Sequence, residues 1–309
     1  MMKCTLNILG IFFVIFLSYP TNINAQNNVD VRFDSYSELG LPAFTEQNTL
    51  VLSSNQDNIK LIANTDLRKV ENLIVRDVFI EDTLLLRICE MDIPNVRLYN
   101  LTGKIDALVS ALLAMPRAMA MKLYKINIDE TFAKKQWSSI KRLEISNCTV
   151  PSISEVLKRM PEIEYLSITE SKIDAISFDT ILSSLVYLEL SDCSLSNVPS
   201  SIENCPNLEC FRYYGNIFSK SDSKRLWNNK KLREIHIGDC HINQFPIELI
   251  DLPNLQILVL DGNHIENIPK GISQFKKLKY LGLGRTSYLL NKETIDSLDV
   301  PFSIGKLPD

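Results

Sequence analysis

Histidine and cysteine are the residues of this chain whose types and spacing could do chemistry. Its histidines are His236, His241 and His264. His241 and His264 lie close to Asp239 and Asp261, and imidazole with carboxylate is a donor set for a divalent metal. His236 and Cys240 have the residue types of a thiol nucleophile and its base. Cys89, Cys148, Cys193, Cys205, Cys210 and Cys240 would be raw material for disulfides in an oxidising compartment. Other catalytic signatures are lacking. Paired cysteines at CxxC spacing do not occur, no serine has a nucleophile-elbow context, and Gly282-Leu-Gly284 is a strand fragment rather than a phosphate loop.

Whether these groups can meet depends on the elements that carry them, and those are set by a repeat. A first apolar position recurs at Val70, Ile93, Ala118, Ile140, Ile163, Leu185, Leu208, Leu232, Leu255 and Leu278, at spacings of 22 to 25 residues. The fourth position (Leu73, Val96, Met121, Leu143, Leu166, Leu188, Phe211, Ile235, Leu258, Leu281) is apolar throughout. So is the sixth, from Val75 and Leu98 to Leu260 and Leu283. Apolar residues two apart with polar ones between them predict a half-buried strand. Val198-Pro199, Phe245-Pro246 and Ile268-Pro269 mark the turn into a return arm, where proline costs no ladder hydrogen bond. Ile105 to Met115 predicts a helical return. One such unit cannot bury its apolar side alone, so the units must stack into a one-dimensional array.

Phase then decides the chemistry. Cys148, Cys193 and Cys240 share the ninth position of alternate units, about 10 Å apart at a strand spacing of ~4.8 Å. A disulfide needs Cα atoms within ~7 Å. They are therefore expected as separate buried thiols, with Cys205 also in the core. Cys210 faces the other way and is expected to be an exposed thiol; Cys89 has no assigned place. Cys240 faces inward and His236 outward, which excludes that pair. His241 and His264 share the tenth position and are expected as an exposed polar column, with no metal and no cofactor.

The third, fifth and seventh positions point out of the core. Their columns carry Arg76, Arg97, Tyr99, Lys122 and Tyr124 in the early units. Tyr165, Tyr187, Arg212, Tyr214, His236, Ile257, Val259 and Tyr280 follow and are the candidate contact residues. Tyrosine and arginine are enriched where interfaces hold their energy. Ile257 and Val259 beside Tyr280 are expected to form an apolar patch in the C-terminal third. Ten strands at ~4.8 Å make an arc of roughly 45 Å, enough for the ~800 Å² per partner of a standard interface.

The formal charge is −4, with basic residues scattered, which supplies no field for nucleic acid. Residues 1–25 read as a secretory signal: Lys3, an apolar run from Leu6 to Tyr19, and Ala25 before Gln26. The run is shorter than the ~20 residues of a spanning helix. Cleavage leaves an extracytoplasmic protein without stable membrane insertion; the alternative is an uncleaved anchor.

The pattern resembles the leucine-rich repeat family in its roughly 23-residue form, from about Leu67 to Leu290. Leu185-Val-Tyr-Leu188-Glu-Leu190-Ser-Asp-Cys193-Ser-Leu195 and Leu255-Gln-Ile-Leu258-Val-Leu260-Asp-Gly-Asn263-His-Ile265 carry the likeness best. The resemblance implies an α/β solenoid, a horseshoe with its parallel sheet on the concave face and irregular or short helical convex segments. It implies that ninth-position asparagines, here Asn216 and Asn263, satisfy backbone between coils, with Cys148, Cys193, Ser171 and Thr286 as smaller stand-ins. Val78, Leu101 and Ile126 hold that position in the early units, where irregular coils are therefore expected. Residues 26–66 and 291–309 are expected to cap the array, with strands at Thr49-Leu-Val-Leu-Ser53 and Ile59-Lys-Leu-Ile62. Caps without cysteine point to a bacterial member. The implied function is non-catalytic binding of a protein or peptide on the concave face; envelope scaffolding or adhesion, and glycan binding, are the alternatives.

Overall fold

The computed structural model describes residues 48–127, 137–150, 153–173 and 176–307, all within one compact unit, Gly40–Asp309. The leader and residues 26–47 of the expected N-terminal cap lie outside the described residues. One 12-stranded sheet runs through the unit in chain order. Its strands are β1 (Thr49–Ser53), β2 (Asn72–Arg76), β3 (Asn95–Tyr99), β4 (Ala120–Tyr124), β5 (Arg142–Ser146) and β6 (Tyr165–Thr169). They continue as β7 (Tyr187–Ser191), β8 (Cys210–Arg212), β9 (Glu234–His236), β10 (Ile257–Leu260), β11 (Tyr280–Gly284) and β12 (Ser303–Leu307).

Every neighbouring pair is parallel and aligns equal repeat positions. Asn72 pairs with Asn95, Tyr165 with Tyr187, Cys210 with Glu234, and Ile257 with Tyr280. Register is enforced by burial, because a slip of one residue would turn each apolar set out of the core. The first, fourth and sixth positions of all ten units are at most 5% exposed. The sheet is longer than the repeat suggests. β1 precedes it and β12 extends it, pairing Tyr280 with Ser303 and Gly284 with Leu307.

Return arms close the other side of the core. They are helical early, at Asp82–Cys89 and Ile105–Leu113, and become 3-10 turns later, as at Ile202–Asn204, Ile247–Asp251 and Lys270–Gln274. A helix is about 10 Å wide whereas strands stack at ~4.8 Å. The sheet is thus the short side of each coil, and its outer face is concave. Ile59-Lys-Leu-Ile62, expected as strand, instead lies in the helix Asn58–Ala63. The Asp57 side chain accepts the Lys60 N–H at its start, a capping bond that favours helix.

The first nine coils leave the sheet through a left-handed residue at the eighth position. Asp77, Asn100, Lys125, Asn147, Glu170, Asp192 and Asp239 have φ between 47° and 54°, and Gly215 and Gly262 have 61° and 64°. Their N–H groups continue the ladder, for example Asn100 to the Tyr124 carbonyl at 2.9 Å and Asp192 to that of Tyr214 at 2.8 Å. The next backbone groups point into the core and need partners there. Asn216 supplies them: its Oδ1 accepts the N–H of Cys193 (3.2 Å) and Leu195 (2.9 Å), and its Nδ2 donates to the carbonyls of Leu190 and Tyr214 (2.9 Å each). Asn263 repeats this with Cys240, Ile242 and Ile237. Ser171 accepts from Cys148 and donates to Thr169, while the Cys193 thiol donates to the Ser191 carbonyl.

Two expectations need correction. Thr286 is exposed; Ser287, fully buried, accepts the Ile265 N–H at 2.8 Å and donates to the Asn263 carbonyl at 2.6 Å. The last coil turns directly into the helix Arg285–Leu290, which moves the inward residue on by one. The early units also keep regular register. Val78, Leu101 and Ile126 are buried, and backbone pairs with backbone instead: Thr102 N–H to the Val78 carbonyl (3.2 Å) and Lys104 N–H to that of Ile80 (3.0 Å).

Asn216→Ala would strand the Cys193 and Leu195 N–H groups in the core and take a donor from the Leu190 carbonyl, while the Tyr214 carbonyl keeps the Asp192 N–H. Its unfolding free energy should fall by about 3 kcal/mol, read as a lower urea midpoint. His264→Ala, at an exposed tenth position, should change it by less than about 0.5 kcal/mol.

Candidate binding face

The concave face is a paved surface whose aromatic rings lie along the sheet. Tyr165 and Tyr187 stack at 4.2 Å with an interplanar angle of 2°. The Arg142 guanidinium sits 3.8 Å from the Tyr165 ring and that of Arg212 lies 5.8 Å from Tyr187, a cation at each end of an aromatic pair. The Tyr187 hydroxyl donates to Glu189 (3.1 Å), which also accepts from Ser167 (2.8 Å).

Further along, Tyr214 reaches across two strands to donate to Asp261 at 2.8 Å. Its ring occupies the space over Gly238, where a Cβ would come within 2.1 Å of it. Tyr280 crosses onto β12 in the same way. A Cβ on Gly305 would lie 2.1 Å from its hydroxyl oxygen, and Leu307 covers Gly282. Glycine is required at these positions for close approach rather than for backbone freedom.

This paving changes the standing of the candidate residues. Tyr165, Tyr187, Tyr280 and Val259 are on the expected strands but only 3%, 0%, 1% and 5% exposed. Stacking and flat-lying rings have consumed their surface, and Val259 is sunk between His236 and Gly282 in register. The expected open apolar patch of Ile257, Val259 and Tyr280 does not exist. Arg212, Tyr214, His236 and Ile257 remain partly exposed and form the accessible edge of that floor.

Charges on the face are mutually compensated near its centre. Burial would raise the Glu144 carboxyl, but the charges of Lys122 (2.8 Å) and Arg142 outweigh it and hold it below the usual carboxylate range. Burial, then the Arg212 charge, lowers His236 below the ordinary imidazole value, while Glu234 at 3.7 Å opposes them. His236 is therefore neutral at pH 7, a hydrogen-bonding group rather than a cation.

The early strands also contribute to the face. Tyr99 and Tyr124 are tilted at 49° with centroids 6.0 Å apart and stay partly exposed, with Lys125 over the Tyr124 ring at 5.4 Å. Arg97 and Lys122 adjoin them in register, between Ile74 and Glu144. Their signal was the third position: Asn72, Asn95 and Ala120 are short and supply no aromatic floor.

Cys210, expected as the exposed thiol, is 2% exposed and makes a 3.8 Å contact with Glu234; its place between Tyr187 and Glu234 in register covers it. Among the described residues the exposed thiol is Cys89, at the end of the helix Asp82–Cys89. Cys148, Cys193, Cys205 and Cys240 are buried and unbridged. Burial raises the Cys193 thiol to about 11 and those of Cys205 and Cys240 to about 12. His241 and His264 are exposed, and no metal-sized group of three His, Cys, Asp or Glu side chains occurs among the described residues.

Two measurements follow. Maleimide labelling of the folded chain at pH 7, read by peptide mass, should modify Cys89 and leave the other described cysteines unlabelled until denaturant is added. Gly238→Ala should displace the Tyr214 ring and lower stability by about 1–3 kcal/mol, whereas Tyr214→Phe, which keeps the ring and loses the bond to Asp261, should cost about 1 kcal/mol.

The Leucine Rich Repeat family model matches residues 184–205, the unit built around β7. No curated protein matches the chain in sequence. Solved structures share its fold. An internalin (inlF) from Listeria monocytogenes superposes with a TM-score of 0.56 at 15% identity, covering 84% of this chain and 82% of that one. A leucine-rich-repeat protein of Leptospira interrogans gives 0.53 at 17%, covering 85% and 74%. The TLR13–ssRNA13 complex gives 0.54 at 15%, covering 77% of this chain and 43% of that one. Repeat, register and fold agree: the chain has the leucine-rich-repeat fold, and its unit at 184–205 matches the family model.

Proposed function

We propose that this chain is a non-catalytic recognition module that binds a protein or peptide on its concave face. The observation that carries the reading is the pre-ordered face itself. Its rings and charges are already fixed by one another, so a partner meets a rigid surface with little side-chain entropy left to lose. Around the buried floor, Arg212, Tyr214, His236 and Ile257 stand partly exposed, the mixture of aromatic, cationic and apolar groups that interface centres favour.

Secretion belongs to the same reading. Its support is the leader-like 1–25 segment, and no helix among the described residues is long and apolar enough to cross a membrane. The expected caps at 26–66 and 291–309 belong to it too, supported in their described parts by β1 and the helix Asn58–Ala63 at one end and by β12 at the other. Absence of a catalytic role is supported by chemistry: burial raises the thiols that face the core, and His236, only partly exposed, is held neutral beside Arg212.

Affinity capture from the native extracellular fraction tests the proposal when run on three proteins in parallel. Wild-type chain and Ile181→Asp, altered at a 69% exposed return-arm residue, should retain the same partner. Ile257→Asp combined with Arg212→Ala should lose it by about tenfold or more. Equal capture by all three would overturn the concave-face reading.

A further inference from the structure

The concave face is electrically divided along the array. Strands β2–β4 and the turns that follow them carry Arg76, Arg97, Lys122 and Lys125 against a single acid, Asp77. Lys122 is ion-paired with Glu144 on the next strand, and Asp77 accepts a hydrogen bond from Asn100. Four cations against Asp77 and Glu144 leave a formal surplus of two positive charges, and Arg76 and Lys125 are exposed. Strands β6–β9 and their turns carry the opposite sign: Glu170, Glu189, Asp192, Glu234 and Asp239 against Arg212. That field is felt locally, since the Asp192 carboxyl is raised by partial burial and then by the charges of Glu170, Asp239 and Glu189.

Between Arg76 and Lys125 stand Tyr99 and Tyr124, partly exposed and tilted rather than flattened. Arg76 pairs with Tyr99 in register and Tyr99 with Tyr124. One column thus runs from a cation to two rings, beside the Arg97–Lys122 column, with no glycine shelf to draw the rings down.

Building on the recognition reading above, we propose that the face of β2–β4 takes an acidic segment of the protein partner. Charge complementarity selects the sign, and the dimensions select the class. Three strands span roughly 10–14 Å, the length of about three or four extended residues at ~3.3 Å each. A short run of aspartate or glutamate fits that span. A nucleic acid strand would extend its phosphates over the acidic strip of β6–β9 and be repelled there. The partner continues beyond its acidic run with neutral or basic residues facing Glu189 and Asp192.

Fluorescence polarisation of the full chain tests this with three labelled probes. They are a peptide alternating glutamate with serine, the matching lysine–serine peptide, and an oligothymidylate of equal length. The glutamate peptide should bind wild type in a salt-sensitive manner, and the oligothymidylate should bind much more weakly. Arg76→Glu with Lys125→Glu should weaken the glutamate peptide by about tenfold; both side chains are exposed, so folding is preserved. Glu170→Lys with Asp192→Lys should leave that binding intact or tighten it. The proposal is overturned if the reversal leaves affinity unchanged, if wild type ignores the glutamate peptide, or if oligothymidylate binds as well. Capture of a native partner that depends on Ile257 but not on Arg76 and Lys125 would sink this proposal alone and leave the recognition reading standing.

Discussion

A chain that winds once every 22 to 25 residues must turn its backbone out of the sheet beneath every strand, and the polar groups exposed by that turn end up inside an apolar core. Pairing them is the constraint on which everything else rests, because an unpaired buried N–H or carbonyl costs as much as several good contacts return. The molecule meets it in three ways. Asn216 and Asn263 each bridge adjacent coils with both ends of the amide. Serine and cysteine do part of the same work at Ser171, Cys193, Cys240 and Ser287. In the early units apolar residues fill the position and short backbone ladders take over. Once that pairing is fixed, neighbouring coils have one phase, and the concave columns follow from it.

The columns in turn explain why the face is ordered. With strands ~4.8 Å apart, side chains at equal positions touch their counterparts, so a tyrosine finds either another ring, as Tyr165 and Tyr187 do, or a glycine to lie upon, as Tyr214 does. Carboxylates find a cation on the same or the next strand, as Glu144 does with Arg142 and Lys122. The face is therefore a network in which the floor is immobilised by packing. The atoms left at the surface are few and well held, which suits recognition of a partner more than it suits chemistry.

Much of this was legible from the residues alone. Fourth and sixth positions such as Leu166 and Ile168 located the strands because period-two burial has no other economical explanation. The same count placed Cys148, Cys193 and Cys240 in separate coils. Exposure was not legible. Phase says on which side of a sheet Tyr187 stands, but not that its neighbour's ring will cover it. Nor does it say that Gly238 and Gly305 exist to receive rings from the previous strand. The eighth-position series of Asp77, Asn100, Asn147, Asp192, Gly215, Asp239 and Gly262 was readable in principle, since aspartate, asparagine and glycine tolerate the left-handed conformation. Ile59–Ile62 misled because its short apolar alternation fits either a strand or a capped helical turn, and Asp57 decided it. The last coil misled because the helix at Arg285 shifts the inward residue by one.

Distance along the array tests the single-phase solenoid most directly. Spin labels placed in a Cys89→Ser background at pairs of exposed eighth-position residues, Asp77 with Lys125, Asp77 with Glu170 and Asp77 with Asp239, report separations by double electron–electron resonance. The account predicts distances that grow steadily with the number of intervening strands, by nearly ~4.8 Å for each. Separations that fail to grow from the nearest pair to the farthest would mean that the coils do not stack in one register, and the concave face derived from that register would not exist.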